Sequence, residues 1–210
     1  MTFEPRDFRD ALGRFATGVT IVTAANAAGA PVGVTVSSYN SVSLDPPLVL
    51  WSLARTAQSL DIFRQAGGYV IHVLGRHQQD LALRFARSGG DKFADLPFDQ
   101  NESGAPLLLA CAARFECAPA YMHDGGDHVI FVGRVLRFDK SDRPPLIFHQ
   151  GAFTSVRGKT DGPGAAGRYT DDFLPYLLAR SRAQLHDPVL AFRQRIGRPD
   201  GSRTKTGSGG

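Results

Sequence analysis

Three short runs rich in β-branched and apolar residues, Val19–Thr23, Gly33–Val36 and Leu48–Leu53, follow one another with only turn chemistry between them, at Asn26–Pro31 and Asp45-Pro46-Pro47. Connections this short cannot carry a crossover helix, so such strands pair antiparallel. Later runs repeat the texture: Tyr69–Leu74, Ala113–Cys117, Val129–Phe138 after a turn at Asp124–His128, and Ala152–Val156. Helical periodicity is confined to short pieces. Phe8, Leu12 and Phe15 recur at helical spacing over Arg6–Ala16, a second helix is expected from Thr56 as N-cap to Gln65, and a third over Gln78–Phe85. Six or more strands without regular strand and helix alternation fit a mainly β fold, a closed or split β-barrel with a few covering helices, better than a doubly wound sheet.

A length of 210 residues suits one main domain. The formal charge of +4 would invite a nucleic-acid reading, but residues 1–158 hold 15 Lys+Arg against 15 Asp+Glu, and the excess lies wholly in 159–210. No basic stripe tracks a phosphate backbone, so no nucleic-acid partner is expected. No apolar run is long enough to span a bilayer and the first residues lack the order of a signal peptide, so no membrane partner and a cytoplasmic location are expected. Cys111 and Cys117, an even number of positions apart, are expected as reduced core residues on one face of a strand. No metal site is expected, since further Cys or His ligands at zinc spacing are lacking.

Neither G-x-G-x-x-G nor G-x-x-x-x-G-K-[ST] occurs, so any nucleotide is held by other means. Hydrolase signatures are lacking as well. Three stretches stand out. Thr35–Ser43 is dense in hydroxyls within an otherwise apolar sheet, and reads either as an exposed edge strand with Ser/Thr turns or as a ligand rim. Ser52–Ser59 joins a strand end to a helix start with Arg55 and several hydroxyls, suited to binding an anion or to plain N-capping. Gly125–Gly133 places glycines at a turn where backbone can approach a ligand, and His128 opens the strand that follows, as a structural or a functional residue.

Taken together and in order, Phe8–Thr20, Val34–Ser38 with Ser41–Val49, Gln78–Ala82, Phe85-Ala86, Asp91-Lys92-Phe93 and Gly126–Gly133 resemble the flavin reductase-like, FMN-binding split-barrel family, the reductase components of two-component flavin monooxygenases. The likeness runs over residues 6–157. It implies a split barrel with flavin at a dimer interface and an NAD(P)H-dependent reductase that passes hydride from NADH or NADPH to FMN or FAD. The reduced flavin would go to an oxygenase component, one acting on an aromatic substrate. A flavin-binding or sensing protein without turnover is the alternative. By this likeness Thr35, Val36, Ser37 and Ser38 face the ring, Ser52, Leu53, Ala54 and Ser59 lie along the ribityl and phosphate chain, and Ser41, Phe85, Ala86, Lys92, Phe93 and Phe153 complete the cofactor contacts. His128 matches a histidine near the nicotinamide and is the catalytic candidate. Ala54 stands where relatives often carry Asp, and Val36-Ser37 replaces a common Ala-Asn pair. Beyond the domain at 1–157, a linker at 158–168, a helical extension at 169–196 and a polar, disorder-like tail at 197–210 are expected. Tyr169–Arg180 resembles the first helix of a MarR-like domain.

Overall fold

The computed structural model describes residues 3–155, so the expected linker, helical extension and tail lie outside the described residues. The chain opens with α1 (Pro5–Leu12), whose apolar stripe is real but stays in the open: no residue of α1 is buried, and Phe8, Leu12 and the following Phe15 are 50%, 59% and 76% exposed. After the two-residue β1 (Thr17–Gly18) come β2 (Thr20–Ala25), β3 (Pro31–Val36), β4 (Asn40–Leu44) and β5 (Pro47–Ala54). The hydroxyl-dense stretch thus contains an edge strand, β4, as one reading of it expected. Next are α2 (Leu60–Gln65), β6 (Tyr69–Val73), a single 3₁₀ turn and α3 (Gln79–Ala86). The chain then forms the small hairpin of β7 (Phe98–Gln100) and β8 (Pro106–Leu108), the long hairpin of β9 (Ala113–Gly125) and β10 (His128–Lys140), and lastly β11 (Leu146–His149) and β12 (Ala152–Ser155).

Seven strands form one antiparallel sheet in the order β3-β2-β6-β9-β10-β5-β4, with β1-β11-β12 and β7-β8 as separate small sheets. Because β3 and β4 are both edges, the main sheet does not close, and of the closed or split barrel that the sequence pattern allows the architecture is the split one, as the resemblance implies. The split is bridged near β5. The Ser38 hydroxyl donates to the Ser52 carbonyl at 3.1 Å and accepts from the Ser52 N–H at 2.8 Å.

Side-chain alternation along β2 serves two cores. Val22 and Ala24 join Trp51, Phe63, Tyr69, Ile71 and Phe131, while Ile21 turns to the other face with Leu74, Phe85, Phe93, Leu108 and Leu146. A strand buried on both faces reads as a continuous apolar run, and this is how Val19–Thr23 reads. The cysteines are buried and free, but they lie in different cores: Cys117 on β9 in the first, Cys111 ahead of that strand in the second. Their even spacing does not put them on one face because residues 109–112 are not extended strand.

His72, wholly buried on β6, ties three strands together. Its Nε2 accepts the Leu108 N–H at 3.0 Å, which places the proton on Nδ1, and Nδ1 donates to the Ile21 carbonyl at 3.0 Å. Among the described residues no helix is long and apolar enough to cross a membrane.

Candidate functional site

A groove of about 1090 Å³ opens where the barrel is split. Its walls come mainly from four segments far apart in sequence, with Leu12 of α1 as a further lining residue: β3 with Ser37 and Ser38, the end of β5 with the turn into α2, the C-terminal end of α3 with Asp91–Phe93, and the turn between β9 and β10. Its volume is at the upper end of what small-molecule and cofactor sites occupy, enough for a ring system with a polar chain.

Local sequence explains each wall. Gly33 on β3 packs its backbone against the Phe85 ring; a Cβ there would lie 2.5 Å from Cε1 and 2.7 Å from Cδ1. Phe85 in turn meets Phe93 edge to face at 5.0 Å, so α3 sits on β3 with no room to spare. The Thr35 hydroxyl donates to the Ala82 carbonyl at 2.7 Å and fastens the same two elements. Lys92 reaches beneath this contact, its Nζ donating to the carbonyls of Phe85 at 3.0 Å and Gly33 at 3.3 Å. An ammonium has three donors, and Lys92 lines the groove with one left over. Partial burial lowers its pKa from the ordinary lysine value.

The turn out of β5 differs from the simple N-cap expected at Thr56. Successive four-residue turns, Ala57 N–H to the Ala54 carbonyl and Leu60 N–H to the Ala57 carbonyl, delay α2 until Leu60. Ser59 takes the N-cap position, yet its side chain caps no helix N–H. Its hydroxyl is left for the groove, which Ser59 and Thr56 both line. This favours the ligand reading of Ser52–Ser59 over plain capping. Arg55 turns away from that wall: its Nε donates to the Gly126 carbonyl at 2.8 Å and its guanidinium pairs with Asp124.

His128 stands opposite, at the start of β10, with its side chain 45% exposed and its Nδ1 2.7 Å from the Asp127 carboxylate. That hydrogen bond holds Asp127 below the usual carboxylate range. With Nδ1 so engaged, Nε2 is the ring nitrogen left for a ligand.

The groove therefore brings together Thr35, Val36, Ser37, Ser38, Ser52, Leu53, Ala54, Ser59, Phe85, Ala86, Lys92, Phe93 and His128. Two candidates are placed elsewhere in this chain. Ser41 is exposed on the edge strand β4, opposite Val49, and Phe153 packs on Phe148 across β11 and β12 at 5.5 Å. Sequence reasoning passed over the Arg87–Gly90 lip, where Gly89 and Gly90 both have positive φ, +73° and +71°. The Ser-Gly-Gly run is the signal for it.

Residues 12–157 match the family described as flavin reductase like domain. The chain is 51% identical over 148 residues to the FMN reductase (NADH) SmoA of Agrobacterium fabrum, covering 70% of this chain and 84% of that protein. It is 40% identical to the reductase component of a flavin-dependent trigonelline monooxygenase from Acinetobacter baylyi, over 74% of this chain but only 51% of the relative's length. Among solved structures, the NADH:FAD oxidoreductase SgcE6 of Streptomyces globisporus, in complex with NAD and FAD fragments, superimposes with a TM-score of 0.71 at 34% identity, over 77% of this chain and 99% of that one.

Proposed function

Because the chain belongs to the flavin reductase like domain family, we propose that the groove holds FMN or FAD and admits NADH or NADPH beside His128. The protein is an NAD(P)H:flavin oxidoreductase. Reduced nicotinamide and a proton are consumed with oxidised flavin, and oxidised nicotinamide and reduced flavin are released. The observation that carries this reading is the convergence of four sequence-distant segments on one groove, with the Ser59 hydroxyl unused by its helix and a Lys92 donor left over.

A bound flavin supplies the hydride acceptor; what the chain supplies is binding, orientation and exclusion of water. The β3 backbone and the Ser37 and Ser38 stretch form the wall for a planar polar ring. Lys92 presents positive charge at the α3 side, suited to an anionic or carbonyl-bearing edge. Ser52, Thr56 and Ser59 offer donors toward a phosphate. His128 packs or hydrogen-bonds against the nicotinamide, and no strong general base is required. Reduced flavin then serves an oxygenase component, the arrangement in which the trigonelline relative is the reductase component of a monooxygenase.

His128→Ala is expected to raise the nicotinamide KM or slow hydride transfer about tenfold, some 1.4 kcal/mol of transition-state stabilisation, while flavin affinity stays unchanged. Stopped-flow reduction at saturating flavin, beside a flavin fluorescence titration, checks this. A variant that loses flavin yet keeps its rate per bound flavin would make His128 structural.

The active form is a homodimer in this reading. The bare stripe of α1 and the exposed Tyr121, Met122, Leu136 and Phe138 along the β9 and β10 hairpin support it, since a monomer seldom leaves so many large apolar side chains in water. Light scattering at micromolar concentration should give twice the chain mass. A fully active monomer would contradict it.

A further inference from the structure

We infer that Arg55 is a positioning residue for the reaction, fixing His128 against the groove through the turn between β9 and β10. The inference rests on the flavin-reductase reading of that groove. Arg55 follows directly on β5, whose last residue, Ala54, pairs with His128 itself. From there it makes three contacts with one turn. Its backbone N–H donates to the Asp127 carbonyl at 2.9 Å, its Nε donates to the Gly126 carbonyl at 2.8 Å, and its Nη2 pairs with the Asp124 carboxylate.

The β9 and β10 ladder closes at Gly125 and His128, and beyond it side-chain packing adds little. Residues 124–127 are all exposed, and Gly126, with φ at +75°, has open space where a side chain would stand. Packing therefore does not dictate where the tip lies. Asp127 completes the relay, since its carboxylate holds the His128 ring at 2.7 Å while its carbonyl is held by Arg55. The ladder already joins Ala54 to His128, and Arg55 carries that hold past the strand ends to the tip, so that what it fixes is the His128 ring, through Asp127. An arginine is needed because a lysine can meet Asp124 but offers no second, planar donor to the Gly126 carbonyl. Since exposed ion pairs add little to global stability, the effect of removing this one belongs in the site and not in the melting temperature.

The test uses the full chain with Arg55→Ala, Arg55→Lys and Asp124→Asn. In the absence of cofactor, Arg55→Ala should speed amide exchange at residues 125–130 about tenfold, with the rest of the sheet unchanged. With flavin bound, it should raise the nicotinamide KM or slow hydride transfer by roughly fivefold at unaltered flavin affinity, Arg55→Lys recovering only part. Placed on His128→Ala, it should add nothing further, as expected of residues acting through one another. The inference is overturned by unchanged exchange in the turn, by losses that multiply in the double variant, or by weakened flavin binding, which would make Arg55 an anion contact. Should Arg55→Ala not fold, Asp124→Asn removes the ionic arm alone and must shift exchange and kinetics in the same direction, or the inference fails. An unaltered protein that oxidises no NAD(P)H would defeat the reductase reading, whereas the exchange result would still report on the clamp.

Discussion

Trp51→Ala is expected to cost about 3–5 kcal/mol of folding stability, on the order of 10 °C in melting temperature, and with it much of the flavin affinity. Trp51 is fully buried at the middle of β5, stacked on Phe131 at 4.6 Å and meeting Phe63 and Tyr69 edge to face at 5.0 and 5.6 Å. No neighbour can swing in to fill the space of an indole ringed by three other aromatics. The strand alternates, so the residues either side of Trp51 face away from it, and loosening its inner face shifts Ser52 and Ala54 in the groove. The indole N–H faces the Tyr69 hydroxyl without forming a well-aligned hydrogen bond. Trp51→Phe keeps an aromatic ring in the space and should cost about 1–2 kcal/mol, clearly less than alanine. Urea unfolding of both variants, followed by flavin titration, measures the two effects.

Acidification should remove about 3 kcal/mol through His72 alone. Burial pushes its pKa down from 6.5 to about 4, against the opposing pull of the Ile21 carbonyl on Nδ1. Above pH 6.5 neither folded nor unfolded chain carries the proton, and the full stability is present. As pH falls below that value the unfolded chain takes up a proton that the folded chain refuses, so stability is lost progressively until the folded pKa is reached. Protonation would also cost Nε2 its bond from the Leu108 N–H and part β8 from β6. A proton NMR titration of the His72 ring should show no midpoint above pH 5. A midpoint near that of a free imidazole would refute the assignment.

Much of the fold was legible because its strands carry strong local signals. Pro31–Val36, Pro47–Ala54 and Tyr69–Val73 lie within a residue or two of where β-branched runs and turn chemistry put them. The long hairpin was harder. Its first strand runs on from Cys117 to Gly125 through Pro119, which breaks the propensity pattern; the chain tolerates it at an irregularity in register where Gly133 comes opposite. The short strands β7, β8 and β11 exist by tertiary pairing and carry too few residues for any period to show. In the site, composition left Ser59 and Thr56 poised between capping and ligand roles, because both use the same hydroxyl; only the delayed start of α2 separates them. The charge of Arg55 suits an anion site as well as a helix start, but its partner is Asp124, sixty-nine residues away in sequence, which no local pattern reveals.

Anaerobic mixing of the purified protein with flavin and NADH decides whether this chain moves hydride from nicotinamide to flavin. The nicotinamide and flavin absorbance bands should fall together, mole for mole, at a rate that depends on protein and requires both partners. A protein that binds and colours with flavin yet leaves NADH and NADPH untouched would contradict it, and would make the groove a flavin-binding site without turnover.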